Sequence, residues 1–425
     1  KLPPFTLLTE PGLSFSPSDT THVDVHPLRG LANFGPYSKG SFGGYTPRIR
    51  IATVGPESAF KRRGELMLLL RNAHRPSDRS EYVPQYPGFE RLFHVALESA
   101  PREAHIKWPE HIRELPGDGT PEARLYHAME AALRRLDTVR NEFDVVLVHF
   151  PDSWSPATRS KYFDAHDVLK ALGAQYNIPT QVLNDRVFTF THKASLAWRL
   201  ATALYVKAAG TPWKLAPLKG VPTDTAYIGL AYALRGDQQD AHYITCCSQV
   251  FDMDGGGMQF VAFEARDPIA DVAEARRNPF LSRDDMRAVL ARSLSLYQVR
   301  NGGNLPKRMV IHKTTAFKES ELEGAFDALS GVAEIECVEV SSASCWRGVW
   351  LIESGQRKPA TKPSGYPVPR GTMVVRSGNS ALVWVAGNAP AVSTKGDYFQ
   401  GKKSIPRPLQ LIRHAGSGPL ELTAH

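Results

Sequence analysis

Apolar residues first fall into a regular pattern at Arg48-Ile-Arg-Ile-Ala-Thr-Val-Gly55, a short strand that ends in Gly-Pro and leads into a helix-like stretch from Glu57 to Arg71. The next strand, Phe143-Asp-Val-Val-Leu-Val-His-Phe150, is almost continuously apolar, as a strand buried on both faces of a parallel sheet must be. Between them, Ala, Leu and Met recur at three- and four-residue steps from Pro121 to Asn141, which predicts a helix. A helix around Tyr162–Gly173, a short strand at Thr180–Leu183 and a long helix from Ser195 to Ala208, ending at Gly210, continue the alternation. Alternating β and α elements predict an α/β domain of the doubly wound, Rossmann-like kind over residues 46–213.

From residue 214 the pattern changes. Tyr227 to Leu234, Tyr243 to Phe251 and Met258 to Ala265 read as consecutive antiparallel strands, with turns at Arg235-Gly-Asp and Asp254-Gly-Gly-Gly257. A helix (Asp284 to Asn301), a buried strand (Arg308 to His312), a helix (Glu319 to Leu329) and a strand (Ala333 to Val340) follow. Three antiparallel strands and then alternating α and β predict a ribonuclease-H-like domain over 214–425. Residues 1–45, rich in Pro, Gly and Ser, read as an extended lead-in. The chain stops at Leu422-Thr-Ala-His425, where that fold usually places another helix, so a truncated C-terminus is expected.

Composition adds little to the fold and something to the partner. With 425 residues, 42% hydrophobic and 22% charged, the chain suits two or three folded domains. No apolar run approaches the roughly 20 residues that span a bilayer, and the start lacks a signal-peptide pattern, which predicts a cytoplasmic protein without a membrane partner. Cys246, Cys247, Cys337 and Cys345 form no CxxC pair and read as buried thiols. A net charge of +8 favours a polyanionic partner.

His166 and Lys170 are four apart on a predicted helix and share a face. Gln181 opens the following strand, and Lys207 ends the long helix. Each alone is an ordinary surface residue; converged, they would offer two ammonium groups, an imidazole and an amide to one terminal phosphate.

Their order and spacing resemble the MID domain of Argonaute proteins, in which such residues hold the 5′-phosphate of a guide strand. The resemblance rests on His166, Lys170, Gln181 in Pro179-Thr-Gln181, and Lys207 before Gly210-Thr-Pro-Trp213. It extends to Phe34-Gly-Pro-Tyr37, to His149-Phe-Pro151 and to the ribonuclease-H-like, or PIWI, region. The fold expected is therefore a Rossmann-like MID domain followed by a ribonuclease-H-like PIWI domain.

An active PIWI domain holds two divalent cations about 4 Å apart with carboxylates, one midway along the first strand and one closing a later strand. Here the first position is Ala231 in Tyr227-Ile-Gly-Leu-Ala231 and the second is Thr314 in Ile311-His-Lys-Thr314. Lys313 beside them is expected to repel Mg²⁺. A slipped alignment would use Asp224 or Asp237, which flank the strand instead of projecting from its centre. Asp252 and Asp254 read as a hairpin turn and not as a calcium loop, since no acidic residue follows at the required spacing.

These features resemble the short prokaryotic Argonautes, with His166 in place of the commoner Tyr. The resemblance implies a sensor: guide RNA, single-stranded target DNA recognised without cleavage, Mg²⁺ at the 5′-phosphate, and an APAZ-containing effector (sirtuin-like, TIR or nuclease) switched on in defence against invading DNA. The alternatives are an active ribonuclease-H-like endonuclease and a scaffold that has lost nucleic-acid binding. No GxGxxG follows a strand, so an NAD site is not expected in this chain.

Overall fold

The structure is a computed structural model that describes residues 4–39, 47–77, 80–160, 163–218, 220–235, 242–252, 255–264, 280–354, 360–393 and 405–425. The chain forms two compact units, Leu13–Lys214 and Lys1–Gly12 with Leu215–His425. The expected lead-in is thus divided between them. Tyr37 and Ser38 donate their amides to the carbonyls of Pro212 and Thr211, and the Lys214 ammonium lies over the Tyr37 ring, which ties Phe34-Gly-Pro-Tyr37 to Gly210-Thr-Pro-Trp213.

In the unit of residues 13–214, strands β1 (Arg48–Pro56), β2 (Ala96–Ser99), β3 (His105–Trp108), β4 (Val145–His149) and β5 (Thr180–Leu183) form one parallel sheet. β4 and β5 follow on one side of β1, and β2 and β3 pair with successive halves of β1. The sequence reading passed over β2 and β3 because they are short and carry Glu98 on a half-open and Lys107 on an exposed position. Neighbouring residues of β4 enter opposite cores. Val145 and Leu147 pack with Leu66 and Leu70 of α1 (Glu57–Arg71) and with Trp198 and Leu204 of α4 (Lys193–Lys207). Val146 and Val148 pack with Leu125 and Met129 of α2 (Pro121–Asp137) and with Leu169 and Leu172 of α3 (Ala165–Gln175). Helices on both faces of a parallel sheet make the predicted Rossmann-like arrangement. The predicted start of α3 at Tyr162 lies outside the described residues.

The second unit is built on a nine-stranded sheet. β6 (Thr225–Arg235), β7 (His242–Asp252) and β8 (Gly257–Glu264) run antiparallel, while β9 (Arg308–Lys313) and β10 (Glu334–Ser341) run parallel to β6. The spatial order β8-β7-β6-β9-β10 is that of a ribonuclease-H-like sheet, as the sequence pattern predicts. Helices α5 (Arg283–Arg300) and α6 (Glu319–Ala328) contribute Met286, Val289 and Ala325 to the core on one face, against Ile228, Met309 and Ile311. A hairpin of β11 (Val349–Ser354) and β12 (Ala360–Pro367) leads to β13 (Thr372–Ser377), β14 (Ser380–Val383) and β15 (Leu409–Ala415), which complete the sheet with a short edge strand at Thr6–Leu7. The other face of the sheet is closed by Val310, Val338, Met373, Leu411 and Leu420.

The buried charges described in this unit include closely paired ions. Lys313 and Glu321 are both enclosed; the ammonium donates to the carboxylate and lies between the Phe280 and Phe317 rings. The expectation that Lys313 repels a metal is therefore corrected: its charge is turned into the core and neutralised there. Glu321 also accepts the amides of Leu281 and Lys318, so it holds the start of α6 as well. Cys337 is buried as expected, whereas Cys345 is exposed; the side chains of Cys246 and Cys247 lie outside those described. No described helix is long and apolar enough to cross a membrane.

Glu321→Leu removes the carboxylate that neutralises an enclosed ammonium and accepts two amides, and is expected to cost about 3–5 kcal/mol of unfolding free energy. Lys313→Met combined with Glu321→Leu should recover part of that loss, because no buried charge remains. Urea titration of the three proteins measures both differences.

Candidate nucleic-acid interface

Asp164 begins α3, its carboxylate accepting the amides of His166 and Asp167 in place of the missing helical acceptors. At the other end, Asn177 adopts a left-handed conformation (φ 52°) and Ile178 donates its amide back to the Gly173 carbonyl at 2.8 Å, closing the helix in a Schellman turn. A Cβ on Gly173 would stand 2.8 Å from the Ile178 carbonyl oxygen, so this close return requires glycine. Pro179 and Thr180 then enter β5 directly beneath α3. Thr180 turns its carbonyl to the Lys207 ammonium, which donates to it from the last turn of α4.

The result is a cavity of about 260 Å³ lined by Lys170, Lys207, Gly173 and the turn from Asn177 to Thr180. Burial lowers the pKa of Lys207 from its ordinary value, and the positive charge of Lys170 lowers it further. Both lysines thus line one cavity, and no carboxylate is among its described lining residues. An anion placed between them relieves the repulsion and receives charge-assisted hydrogen bonds. The same lining supplies no acidic ligand for a Mg²⁺, so a cation there would rest on the oxygens of the phosphate itself and water.

The other two predicted residues are not in this lining. His166 lies one turn before Lys170 with half its side chain exposed, its Nδ1 3.3 Å from an Asp167 oxygen. Gln181 donates its side-chain amide to the neighbouring Val182 carbonyl at 2.9 Å. Asp164, His166 and Asp167 bring potential metal-ligating atoms within 4.8 Å of one another, but Asp164 is engaged in capping the helix.

A second polar cluster stands at the C-terminal end of β4. His149 is buried, with Nε2 3.1 Å from Asp185 Oδ1; Arg62 donates to the same oxygen and the Asp152 amide to the other. Burial keeps His149 below its ordinary pKa even with Asp185 beside it, so it is neutral at neutral pH. Sequence reading quoted His149 only for its motif; Arg62 and Asp185 come from separate elements, and no local spacing announces them.

In the other unit, the parallel register of β6 and β9 pairs Leu230 with Lys313, which sets Ala231, within β6, and Thr314, just past the end of β9, one step beyond that pair. Both are exposed. Adjacent strands lie about 4.8 Å apart, so carboxylates at these two positions would suit a pair of cations about 4 Å apart. A methyl group and a hydroxyl bring no negative charge there. Asp224 precedes β6 at its opposite end and pairs with Lys307 at 3.1 Å, which removes it as a substitute. Asp237 lies outside the described residues. Asp254 also lies outside them; β7 and β8 pair as a hairpin around Gly255 (φ 81°), as expected.

No protein-family model matches the chain, and no curated protein matches it in sequence. Among solved structures, the Clostridium butyricum Argonaute bound to a guide DNA (5′ deoxycytidine) and a 19-mer target DNA matches 99% of this chain and 48% of its own, with a TM-score of 0.64 and 16% identity. The chain therefore has an Argonaute-like fold, and it spans about half the length of that protein.

The protonated form of Lys207 is the one that binds an anion, and its pKa lies below the ordinary lysine value. Affinity for a 5′-phosphorylated oligonucleotide should therefore fall as pH rises from neutral, beginning below the ordinary lysine value of about 10.4. Lys207→Met should remove that early phase; anisotropy titrations across the pH range measure both.

Proposed function

We propose that the chain binds the 5′-phosphate of a guide strand, an RNA, between Lys170 and Lys207 and pairs the guide with single-stranded target DNA without cutting it. The observation that carries the reading is the cavity lined by Lys170 and Lys207 with no carboxylate among its described residues, in a chain of Argonaute-like fold. The Argonaute of similar fold holds a guide and a target DNA, which supports the same class of ligand here. Ala231 and Thr314, side by side where the sheet would present carboxylates, support pairing without hydrolysis. His166 and Gln181 are assigned to the guide's 5′ end, reaching the phosphate when their side chains turn from their present local partners.

A protein that pairs strands and does not cut them acts through what the duplex does to a partner. The partner we assign is a separate APAZ-containing effector, sirtuin-like, TIR or nuclease, whose activity rises when target is bound, in defence against invading DNA. Such coupling requires the effector to prefer the target-bound state.

Replacing Lys170 and Lys207 together by Ala should weaken 5′-phosphorylated guides by several kcal/mol, at about 1.5–3 kcal/mol for each charge-assisted bond. The same variant should leave 5′-hydroxyl guides nearly unchanged. Equal affinity of the unmutated protein for the two kinds of guide sinks the reading; RNA and DNA guides compared side by side decide the sugar.

Guide, matched target and Mg²⁺ or Mn²⁺ should leave the target at full length on a denaturing gel. Bands at a fixed distance from the guide end would return the endonuclease reading. With the effector present, its turnover should stay low with guide alone or a mismatched target and rise with a matched one.

A further inference from the structure

Within the unit formed by residues 1–12 and 215–425, the described residues leave one part of the sheet uncovered. On one face of β13 and β14, Met373, Ala381 and Val383 are sealed in the core with Leu420. On the opposite face, Val374 and Leu382 form the floor of a groove of about 650 Å³, with Phe5, Trp346 and Trp350 as walls. Those three aromatic side chains are 53%, 50% and 37% exposed. The Phe5 ring stands edge-on to Trp350 at 5.7 Å, so the N-terminal strand and the start of the β11 hairpin build one wall together. A concave apolar surface of this size lies within the range of binding pockets, roughly 300–1,000 Å³.

Two polar features define what would fill it. Trp384 lines the groove with its indole N–H buried and without an acceptor, although an enclosed donor normally has one. Arg347 and Arg376 stand in the lining, no carboxylate is among its described residues, and the Arg376 guanidinium lies 5.7 Å from the Trp346 ring centre. An occupant must therefore bring bulky apolar groups to the floor, an oxygen acceptor to the indole and negative charge to the arginines. A nucleic-acid strand supplies charge and stacking. It would, however, set polar base edges and phosphates on an apolar floor of Val374, Leu382 and Val368, with two cations among the described lining residues to balance the phosphates. A peptide segment supplies all three requirements, its backbone carbonyl serving the indole.

We propose that this groove docks a segment of a partner protein in which Leu- or Phe-like side chains are flanked by Asp or Glu. The apolar side chains fill the space between Trp346, Trp350 and Leu382, a main-chain carbonyl accepts from Trp384, and the acidic side chains meet Arg347 and Arg376. Docking here is independent of the Lys170–Lys207 cavity, which belongs to the other unit.

The test is fluorescence anisotropy of the full chain with three labelled probes: a short peptide of Leu, Phe and Glu, the same peptide with Lys for Glu, and a poly(dT) strand. The acidic peptide should bind about tenfold or more tighter than the basic one, as charge complementarity across an interface requires. Arg347→Glu with Arg376→Glu should invert that preference while leaving the affinity for a 5′-phosphorylated guide unchanged. Trp384→Phe, which keeps the shape and removes the donor, should weaken the acidic peptide severalfold. Equal binding of the two peptides, binding of neither, or poly(dT) binding that the double reversal abolishes overturns the proposal.

Discussion

A strand with partners on both edges and apolar layers on both faces leaves no room for water, and both units of this chain are organised around strands of that kind. β4 is buried at every residue, and β9 at all but His312. Charge can then persist in two places: at strand and helix ends, or inside closely paired ions. Lys313 with Glu321 and Arg308 with Glu336 are the internal pairs. Lys207 ends α4 and Thr314 follows β9, while Lys170 and Ala231 lie mid-element on exposed positions that a ligand can reach.

The geometry of the Lys170–Lys207 cavity follows from a backbone constraint more than from the side chains it presents. Gly173 lets the chain return under α3, and that return fixes the Thr180 carbonyl against which the Lys207 ammonium is held. Lys207 is also placed at the C-terminal end of α4, where the helix dipole favours a cation. The arrangement holds two like charges close together before any ligand arrives, a cost that binding of an anion removes. This preorganisation is what a surface lysine on a solvated helix lacks.

In the other unit the same sheet is asymmetric in its chemistry. Its β6–β9 pair offers adjacent positions suited to metal-binding carboxylates and fills them with Ala231 and Thr314. Its far side, at β13 and β14, offers an uncovered apolar face with arginines and an unpaired indole donor.

The order of elements was legible in the sequence because two-sided burial writes near-continuous apolar runs and one-sided burial writes helical periodicity. Phe143–Phe150, Arg308–His312 and the helices near them could be read directly. β2 and β3 could not, being four residues each with charged side chains on half-open or exposed positions. Candidate residues at helical spacing, His166 and Lys170, were legible for the same local reason. The meeting of Lys170 with Lys207, the inward turn of Lys313 to Glu321, the Arg62–His149–Asp185 cluster and the groove beside Trp384 were decided only by tertiary structure. Each joins residues from different elements, and the physical term that sets them is a distance between distant parts of the chain, which no local pattern of polarity contains.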